Sequence, residues 1–449
     1  MAQSGKPSPA KPRPAQHPVR GIEAKPAPDP VAQGVCISRR AADRLRAGHL
    51  WVYASDLEPG AVPGREPVPA LVAVADPRGL LLGTALYSPT SQIALRMVAR
   101  ELLDEKAWLK LLAERLKRAI ERRGAMLNGL AGKNDACRLC FSEADELPGI
   151  IADKYGDLVI LQLLAKGLDS AAVRKTCVRV LRDALKPVPA PAAIFERPDP
   201  RIRELEGLEA PSTEPLWLAD AKKPKTSTLF HLNGLVFHYD VNAGQKTGAF
   251  LDQRANYAAA EQWTRQMAAK PGWGGRALDV CCYQGGFALH LARVCKRVTG
   301  IDASRASLEV AERNLEANRD QIDAEVDWIE ADAFTILRDW ADAGERFDSI
   351  VLDPPAFAKS KRAVEGALRG YKELNLRALK MLRAGGLLVT SSCSHHVSWA
   401  DLESAVAAAA ADAGRRVRLL ERRGAAPDHP VVLNLPETEY LKCLVLEAE

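Results

Sequence analysis

Short apolar runs of strand length alternate with segments of helical spacing throughout the C-terminal half of the chain. The apolar runs end at five polar residues, Asp279, Asp302, Asp332, Asp353 and Cys393. In the segments between them apolar residues recur every three to four positions, which is the spacing of an amphipathic helix. Repeated strand–helix units predict a doubly wound parallel sheet of the α/β class, and such sheets bind ligands at the carboxyl ends of their strands.

Two regions with other patterns precede this sheet. Residues 34–101 hold short apolar runs separated by turn residues, which predicts a small β-barrel or sandwich. Residues 102–228 begin with a long helical pattern and continue with two strands around a Gly-Asp turn, a helix and a further strand, which predicts an α+β middle domain. The doubly wound domain then occupies residues 229–449. The Pro- and Lys-rich segment 1–33 is expected to be a disordered tail.

Composition and charge narrow the class of protein. Apolar residues make up 47% of the chain, enough for packed cores, and the net charge of +5 lies largely in the basic N-terminal tail, so net charge alone does not indicate nucleic acid. The nine cysteines are odd in number and scattered, as in a reducing compartment. We find no apolar run of membrane-spanning length and no secretory signal, and the prolines of the tail disfavour a transit peptide. We therefore expect a cytoplasmic protein without membrane contact.

Three of the strand ends predict a cofactor pocket. Asp279 precedes the loop CCYQGG, where Gly285 and Gly286 open a helix and let a ligand approach its N-terminus. The spacing is not G-x-G-x-x-G, so a pyrophosphate cradle is a poor fit. Asp302 is placed to accept hydrogen bonds from ribose hydroxyls, and Asp332 is expected near an adenine ring. An acidic pocket for a single ribose fits S-adenosylmethionine, whose sulfonium is cationic.

The alternative for these aspartates is that each only caps the helix that follows it. A single aspartate does not distinguish the two interpretations. Three successive strand ends with the same residue favour the cofactor pocket, and we predict S-adenosylmethionine as the cofactor.

The next two strand ends carry candidate catalytic groups. Asp353 begins Asp-Pro-Pro, and Cys393 lies among small hydroxyl residues in VTSSCSHH. In the usual methyltransferase sheet these strands are neighbours, so both side chains should face one cleft. The pair suits methylation of pyrimidine carbon-5, which is too weak a nucleophile to attack a sulfonium directly. A thiolate that adds to carbon-6 activates carbon-5, and protonated Asp353 can donate a hydrogen bond at ring nitrogen 3. A buried thiol without function is the alternative for Cys393.

Other cysteines and histidines give weaker signals. His395 and His396 could lower the pKa of the thiol, contact RNA or only lie in the loop, and the sequence leaves these alternatives open. Cys393 with these histidines lacks further ligands at a spacing suited to a metal. Cys137 and Cys140 form a single CxxC without a second pair, which does not predict zinc or redox chemistry.

A cluster of basic residues follows Asp-Pro-Pro and predicts contact with a polyphosphate such as RNA. Three further basic residues, Arg377, Lys380 and Arg383, fall on a predicted helix and fit a solvated face. The five expected in the loop beside the cleft, and predicted to bind RNA, are Lys359, Lys361, Arg362, Arg369 and Lys372.

Several longer motifs complete the set. They are GHLWVYASDLEPG (Gly48–Gly60), RLCFSEADELPGIIADKYGD (Arg138–Asp157), GQKTGAFLDQR (Gly244–Arg254), DPPAFAKSK (Asp353–Lys361), RGYKELN (Arg369–Asn375) and SSCSHH. Together they resemble the bacterial large-subunit ribosomal RNA cytosine-5 methyltransferases, a family with an N-terminal PUA domain. The resemblance covers about residues 34–449.

The resemblance implies further roles. Residues 34–101 would form the PUA domain, and Asp252, Gln253 and Arg254 would help to shape the cofactor pocket. The loop DVCCYQGGF departs from the family's usual Asn and Ser-Tyr-Thr-Gly residues. Ala356 stands where distantly similar eukaryotic-type enzymes have a second cysteine, so one catalytic cysteine is implied. Related guanine methyltransferases lack the cysteine of SSCSHH, and Cys393 therefore favours cytosine.

The sequence thus predicts an S-adenosylmethionine-dependent methyltransferase acting on carbon-5 of a cytosine in 23S ribosomal RNA, its large-subunit RNA partner. Two rivals remain, a guanine-N methyltransferase in which Cys393 is a bystander and a non-catalytic RNA-binding assembly factor. The oligomeric state, monomer or homodimer, is open.

Overall fold

The computed structural model describes residues 34–59, 70–128, 133–186, 190–210, 212–242, 248–358 and 360–449. The predicted tail, residues 1–33, lies outside the described residues, as does Lys359. Within the described ranges no helix combines the length and the apolar character needed to cross a membrane.

The N-terminal region is built on a five-stranded sheet of order β1-β3-β4-β5-β2, as predicted for a small β domain. Buried and half-buried residues alternate along β3, which is the pattern of a strand with one face on the core. A short helix, α1, was not predicted, and it begins where the Ser38 hydroxyl accepts a hydrogen bond from the Ala41 N–H. The elements are β1 (Gly34–Cys36), α1 (Arg39–Arg46), β2 (Trp51–Tyr53), β3 (Leu71–Ala75), β4 (Leu81–Tyr87) and β5 (Ile93–Ala99).

The middle region has a second five-stranded sheet, of order β10-β9-β8-β7-β6, with helices α2 and α4 packed on one face. Trp108, Leu112 and Leu116 of α2 are buried at helical spacing in its core. The predicted long helix and Gly-Asp hairpin are confirmed. The elements are α2 (Glu105–Arg122), α3 (Gly124–Asn128), β6 (Ala136–Phe141), β7 (Ile150–Tyr155), β8 (Leu158–Leu163), α4 (Ala171–Ala184), β9 (Ala193–Glu196), α5 (Pro200–Leu205) and β10 (Trp217–Leu218).

A two-stranded hairpin that we did not predict joins the middle region to the large sheet. It consists of β11 (Ser227–Leu232) and β12 (Leu235–Asp240). Its turn, Asn233-Gly234, has φ values of +53° and +86°, as expected for the Asn-Gly pair of a tight hairpin. Buried Phe230 and Phe237 place it in the same apolar core as the first strands of the large sheet.

The C-terminal region is a seven-stranded sheet of order β15-β14-β13-β16-β17-β19-β18, with the first five strands parallel and β19 antiparallel to both neighbours. The predicted doubly wound α/β class is confirmed. The strands are β13 (Arg276–Val280), β14 (Arg297–Asp302), β15 (Glu325–Glu330), β16 (Phe347–Leu352), β17 (Leu382–Ser392), β18 (Val417–Arg423) and β19 (Lys442–Ala448).

Six helices cover the two faces of this sheet, and one of them corrects the sequence analysis. Helix α10 was predicted from Glu373 but begins at Val364, so Arg369 and Lys372 lie on a helix and not in the loop. The helices are α6 (Arg254–Ala268), α7 (Gly286–Ala292), α8 (Arg305–Glu316), α9 (Ala333–Ala343), α10 (Val364–Met381) and α11 (Trp399–Asp412).

Candidate active site

The ends of the neighbouring strands β16 and β17 bring Asp353 and Cys393 to one place. The two strands are parallel with Leu352 opposite Thr390, so the residues that follow them leave the sheet at the same edge. The Cys393 Sγ lies 3.9 Å from the Pro354 carbonyl oxygen, and the residue is half-buried. The thiol is therefore not turned into the hydrophobic core, and it adjoins the Asp-Pro-Pro segment.

Hydroxyl groups fix the backbone on both sides of Cys393. The Tyr371 hydroxyl of α10 is hydrogen-bonded to Ser392 Oγ at 2.8 Å and to Ser394 Oγ at 3.1 Å. Ser394 Oγ also accepts a 3.2 Å hydrogen bond from the Ala358 N–H in the loop after Asp-Pro-Pro. All three hydroxyl residues are buried. The loop that carries the thiol is thus tied to both the helix and the neighbouring loop.

A buried lysine lies beside the same loop. Lys442, the first residue of β19, is 3% exposed and pairs with Ser392 in the antiparallel register. Its Nζ donates a 2.9 Å hydrogen bond to the Ser394 carbonyl oxygen. Burial lowers the pKa of Lys442, while the negative charges of Glu439 and Asp401 oppose that change. We did not predict this residue, although a lysine within the apolar run LKCLVL is a signal in the sequence.

The Asp353 carboxyl group is held from a different element. The Gln253 side-chain amide donates to Asp353 Oδ1 at 2.8 Å and accepts from Asn256 Nδ2 at 2.6 Å. Gln253 and Asn256 are both buried. The sequence motif that contains Gln253 therefore reaches the candidate catalytic carboxyl, a contact more specific than the general role in the cofactor pocket that we predicted.

Asp252, the neighbour of Gln253 in the sequence, binds Tyr440 in the segment before β19. Asp252 Oδ2 accepts a 2.5 Å hydrogen bond from the Tyr440 hydroxyl, and burial raises the pKa of Tyr440. The His395 ring lies against Tyr440 with the ring centroids 5.6 Å apart, and His395 and His396 are both exposed. This edge of the cleft is therefore aromatic and partly open to solvent.

The Arg254 side chain binds groups of two other regions, and its part in shaping the cofactor pocket stays a prediction. Its guanidinium donates to the Ala136 carbonyl at 2.8 Å and to Asp428 Oδ1 at 3.1 Å. Asp428 also accepts from the Arg138 N–H. Burial on its own would raise the pKa of Asp428, but His429 and Arg254 outweigh burial and lower that pKa to about 2. Arg254 therefore ties the middle sheet to the C-terminal region.

The predicted cofactor loop is a compact turn after β13. Cys281, Tyr283 and Gly285 all have positive φ, at +64°, +50° and +85°. Glycine is required for packing as well, because a Cβ on Gly286 would lie 2.6 Å from the Tyr257 hydroxyl. Gly286 is thus needed for its contact with the Tyr257 ring, and the approach of a ligand to this helix N-terminus stays a prediction.

Asp279 has the electrostatics that a cationic ligand would satisfy. It is fully buried, its Oδ2 accepts from the Ala288 N–H of α7 at 2.8 Å, and Oδ1 has no hydrogen-bond partner among the described residues. Burial, together with the charges of Asp353 and Asp302, raises the pKa of Asp279 well above its usual range. A positive charge nearby would stabilise the carboxylate, so this carboxyl fits the sulfonium of S-adenosylmethionine.

Asp302 and Asp332 differ in how their carboxylates are used. Asp302 accepts from the Tyr283 N–H and the Ser304 N–H, both at 2.9 Å, and each carboxylate oxygen keeps a further lone pair for a ribose hydroxyl. Asp332 caps α9 through the Thr335 N–H and hydroxyl, and these bonds lower its pKa. The capping alternative thus describes the Asp332 side chain.

The predicted RNA-binding residues separate into two groups. Arg362 and Arg369 line an open cavity of about 480 Å³ together with the rings of Phe334 and Phe357. Lys372 is bound to Asp412 of α11 at 2.7 Å, and Lys361 is exposed in the turn before α10. Lys361 and Arg362 are thus both exposed, whereas the Arg369 guanidinium forms an ion pair with Glu365. Lys359 lies outside the described residues.

The CxxC cysteines belong to a strand. Cys137 and Cys140 are buried in β6, and burial raises the pKa of both thiols. Cys140 lies 3.5 Å from the Ile150 carbonyl oxygen. These thiols are part of the core of the middle sheet.

Comparisons with known proteins agree with this architecture. A family model described as a PUA-like domain matches residues 35–100, and one described as a methyltransferase domain matches residues 277–386. Ribosomal RNA large subunit methyltransferase I of Pseudoalteromonas translucida is 35% identical over 407 residues, which cover 89% of this chain and 96% of that protein. The protein of the same name from Erwinia tasmaniensis is 36% identical, over 88% and 94% of the two chains.

Solved structures share the fold. SMU.776, assigned as a methyltransferase and solved as a complex with SAH, superposes with a TM-score of 0.73 at 18% identity, covering 92% of this chain and 100% of that chain. A structure assigned as a SAM-dependent methyltransferase from Streptococcus mutans gives 0.72 at 18% identity, with the same coverage. At this level of identity the likeness supports the fold.

Proposed function

Because the chain belongs to the ribosomal RNA large subunit methyltransferase I family, we propose that it methylates carbon-5 of a cytosine in 23S ribosomal RNA through a covalent adduct with Cys393. The protein is a methyltransferase that uses S-adenosylmethionine. The cytosine and the adduct are the finer part of the proposal. One observation above all supports them. The Sγ atom of the half-buried Cys393 lies 3.9 Å from the carbonyl oxygen of Pro354, the residue that follows Asp353.

In the proposed mechanism the thiolate of Cys393 adds to carbon-6 of the cytosine and forms an S–C bond. The electron pair of the ring moves toward nitrogen 3, where protonated Asp353 donates its hydrogen. Carbon-5 is then nucleophilic enough to take a methyl group. Loss of the carbon-5 proton, return of the nitrogen-3 proton to Asp353 and cleavage of the S–C bond restore the aromatic ring and release the thiolate.

The cofactor would be held at the β13 and β14 ends of the sheet. When bound, S-adenosylmethionine supplies an electrophilic methyl group on a cationic sulfonium. The buried Asp279 carboxyl would balance this charge, and Asp302 would accept hydrogen bonds from the ribose. Gln253 would keep the Asp353 carboxyl in place between cofactor and base through its 2.8 Å hydrogen bond.

The RNA would contact a wide surface. A cytosine must leave its stack or be unpaired to reach Cys393. Arg362 and Arg369 beside the cleft would bind phosphates, as would Arg39 and Arg40 of α1, which line an open cavity of about 670 Å³ on the PUA-like domain. We propose that the PUA-like and middle domains dock the RNA in this way.

The test is the identity of the methylated nucleoside. The full-length protein is incubated with S-adenosylmethionine and large-subunit ribosomal RNA from cells lacking the enzyme, and the RNA is digested and analysed by mass spectrometry. We expect 5-methylcytidine, its loss in Cys393→Ala, and normal formation in the control Cys36→Ala, which changes a half-buried cysteine of the PUA-like domain.

Each rival has its own outcome in this experiment. A methylated guanosine whose formation survives Cys393→Ala would support the guanine enzyme. No methyl transfer to naked RNA or to ribosomal particles would support the assembly factor.

A further inference from the structure

Lys442 combines features that an ordinary strand residue does not require. It is 3% exposed at the start of β19, where the next four residues are apolar, and its ammonium group donates to the carbonyl of Ser394, the residue after Cys393. Its strand partner is Ser392, the residue before Cys393. Burying an ammonium group is unfavourable unless it is compensated. The ammonium group therefore lies against the residue after the thiol, and the backbone of Lys442 pairs with the residue before it.

We propose that Lys442 is a positioning residue whose ammonium group stabilises the thiolate form of Cys393. This inference rests on the proposed function, since it explains how the thiol becomes a nucleophile. The thiolate is the reactive form of cysteine, and a nearby lysine or arginine is one of the features that favours it. From the sequence, His395 and His396 were candidates for lowering the pKa of the Cys393 thiol, but both residues are exposed.

The groups around the thiol are consistent with this role. Tyr371 of α10 and Tyr440 before β19 also interact electrostatically with Cys393, and burial raises the pKa of both, so they stay neutral near pH 7. Lys442 interacts electrostatically with Cys393 as well, and its charged form is positive. Glu439 and Asp401 lie within electrostatic range of Lys442 and favour its charged form against the effect of burial.

The role involves no proton transfer by Lys442. The thiol proton leaves to solvent before the S–C bond forms, the lysine keeps its own proton, and the electron pair left on sulfur attacks carbon-6. A neutral side chain of similar length, as in Lys442→Met, therefore removes the charge, and Lys442→Arg retains it.

The experiment measures the thiol itself, without RNA or cofactor. The full-length protein and its variants are treated with iodoacetamide over a range of pH, and the rate at Cys393 is followed by peptide mass spectrometry. In Lys442→Met we expect the midpoint to move to higher pH and the rate below it to fall about tenfold, the change produced by one pH unit. Lys442→Arg should retain the wild-type midpoint, as should the control Lys110→Met, which alters an exposed lysine of α2 that pairs with Glu114.

The outcomes separate this inference from the proposed function. An unchanged midpoint in a folded Lys442→Met protein would overturn the inference, as would the same shift in Lys442→Arg, which would show a structural effect. Methyl transfer should also fall in Lys442→Met and recover as pH rises. A shifted midpoint with methyl transfer that survives Cys393→Ala would leave the electrostatic effect standing and reject the proposed function.

Discussion

The two halves of the ligand-binding edge of the large sheet differ in charge and in how their polar groups are held. At the ends of β13 and β14, Asp279 and Asp302 present carboxylates, and one buried oxygen of Asp279 has no hydrogen-bond partner among the described residues. At the ends of β16, β17 and β19, a thiol lies among hydroxyl groups and a buried lysine. In the first half the buried oxygen without a partner belongs to a carboxyl group. In the second half the hydroxyls of Ser392, Ser394 and Tyr371 bind one another, and the buried oxygens without a partner among the described residues are neutral hydroxyls, those of Thr390 and Ser391.

This difference indicates what each half can stabilise. A carboxylate without a partner in a buried site gains most from a cation, which is the charge of a sulfonium. A thiol next to an ammonium group gains most from becoming an anion. Asp353 lies between the two halves and is held by Gln253. Substitutions that act on one half should therefore leave the function of the other largely intact.

The largest effect in this comparison is expected at Asp353. Asp353→Ala removes the proposed acid at ring nitrogen 3, so methyl transfer should fall by about 10²–10⁴-fold, the usual contribution of a general acid. The affinity for S-adenosylmethionine should change much less, because the carboxylates of β13 and β14 remain. Single-turnover kinetics and calorimetry measure the two quantities separately.

The control for Asp353 is Gln253, which donates a hydrogen bond to the Asp353 carboxyl. Gln253→Ala removes the hydrogen bond to Asp353 but leaves the carboxyl group, so it should slow methyl transfer less than Asp353→Ala does. If Asp353→Ala reduced the affinity for the cofactor as much as the rate, Asp353 would act mainly in cofactor binding, together with Asp279 and Asp302.

An intermediate effect is expected at Asp279. Because burial raises its pKa above the ordinary 3.8, the folded chain binds this proton more tightly than the unfolded chain does. Stability without cofactor should therefore fall as pH rises above about 4, and Asp279→Asn should remove that slope and raise the melting temperature at neutral pH. The same variant should weaken S-adenosylmethionine binding about tenfold, since one charge interaction of about 1.4 kcal/mol is lost.

Thermal shift and calorimetry across pH test this prediction. In the wild type the affinity for S-adenosylmethionine should rise with pH as Asp279 ionises, and in Asp279→Asn it should be flat. Adenosine, which lacks the sulfonium, should bind both proteins equally. An unchanged affinity in the variant would show that Asp279 acts only through the Ala288 N–H.

The smallest effect is expected at Arg362, which lines the open cavity that we assign to RNA. Arg362→Ala should weaken RNA binding a few-fold and reduce the slope of log affinity against log salt by about 0.7, the value for one contact with single-stranded phosphate. Lys372→Ala should change the slope less, because this lysine is bound to Asp412. Filter binding at several salt concentrations provides both slopes, and equal slopes would contradict the assignment of the cavity to RNA.

The repeated strand–helix pattern predicted the large sheet because its parallel strands contain short apolar runs that lead to a polar residue at the carboxyl end. Strand β15 is the most polar of them, with Glu325, Asp327 and Glu330. The convergence of Asp353 and Cys393 followed from the same pattern and is found in the structure. Asp332 was ambiguous for a physical reason, since an aspartate after a strand can cap the next helix as well as bind a ligand, and here its side chain caps.

Contacts between distant segments could not be predicted in this way. Helix α10 was predicted too short, from Glu373. Glycine weakens a helix, but Gly370 lies against the rings of Phe357 and Phe334, where a Cβ would come within 3.3 Å of Phe357. Arg254 was assigned to the cofactor pocket by its neighbours in the motif, whereas its partner Asp428 lies 174 residues away in the sequence. The pairing of Lys442 with the loop of Cys393 likewise depends on β19 lying antiparallel to β17.

The central claim is that Cys393 forms a covalent bond to the base that is methylated. An RNA fragment of the large subunit containing 5-fluorocytidine tests it directly, because fluorine at carbon-5 cannot leave as a proton and the adduct is retained. With S-adenosylmethionine present, the account predicts a protein–RNA adduct that maps to the Cys393 peptide, vanishes in Cys393→Ala and persists in Cys36→Ala. Methylation of the RNA without any adduct, or an adduct that survives in Cys393→Ala, would contradict it.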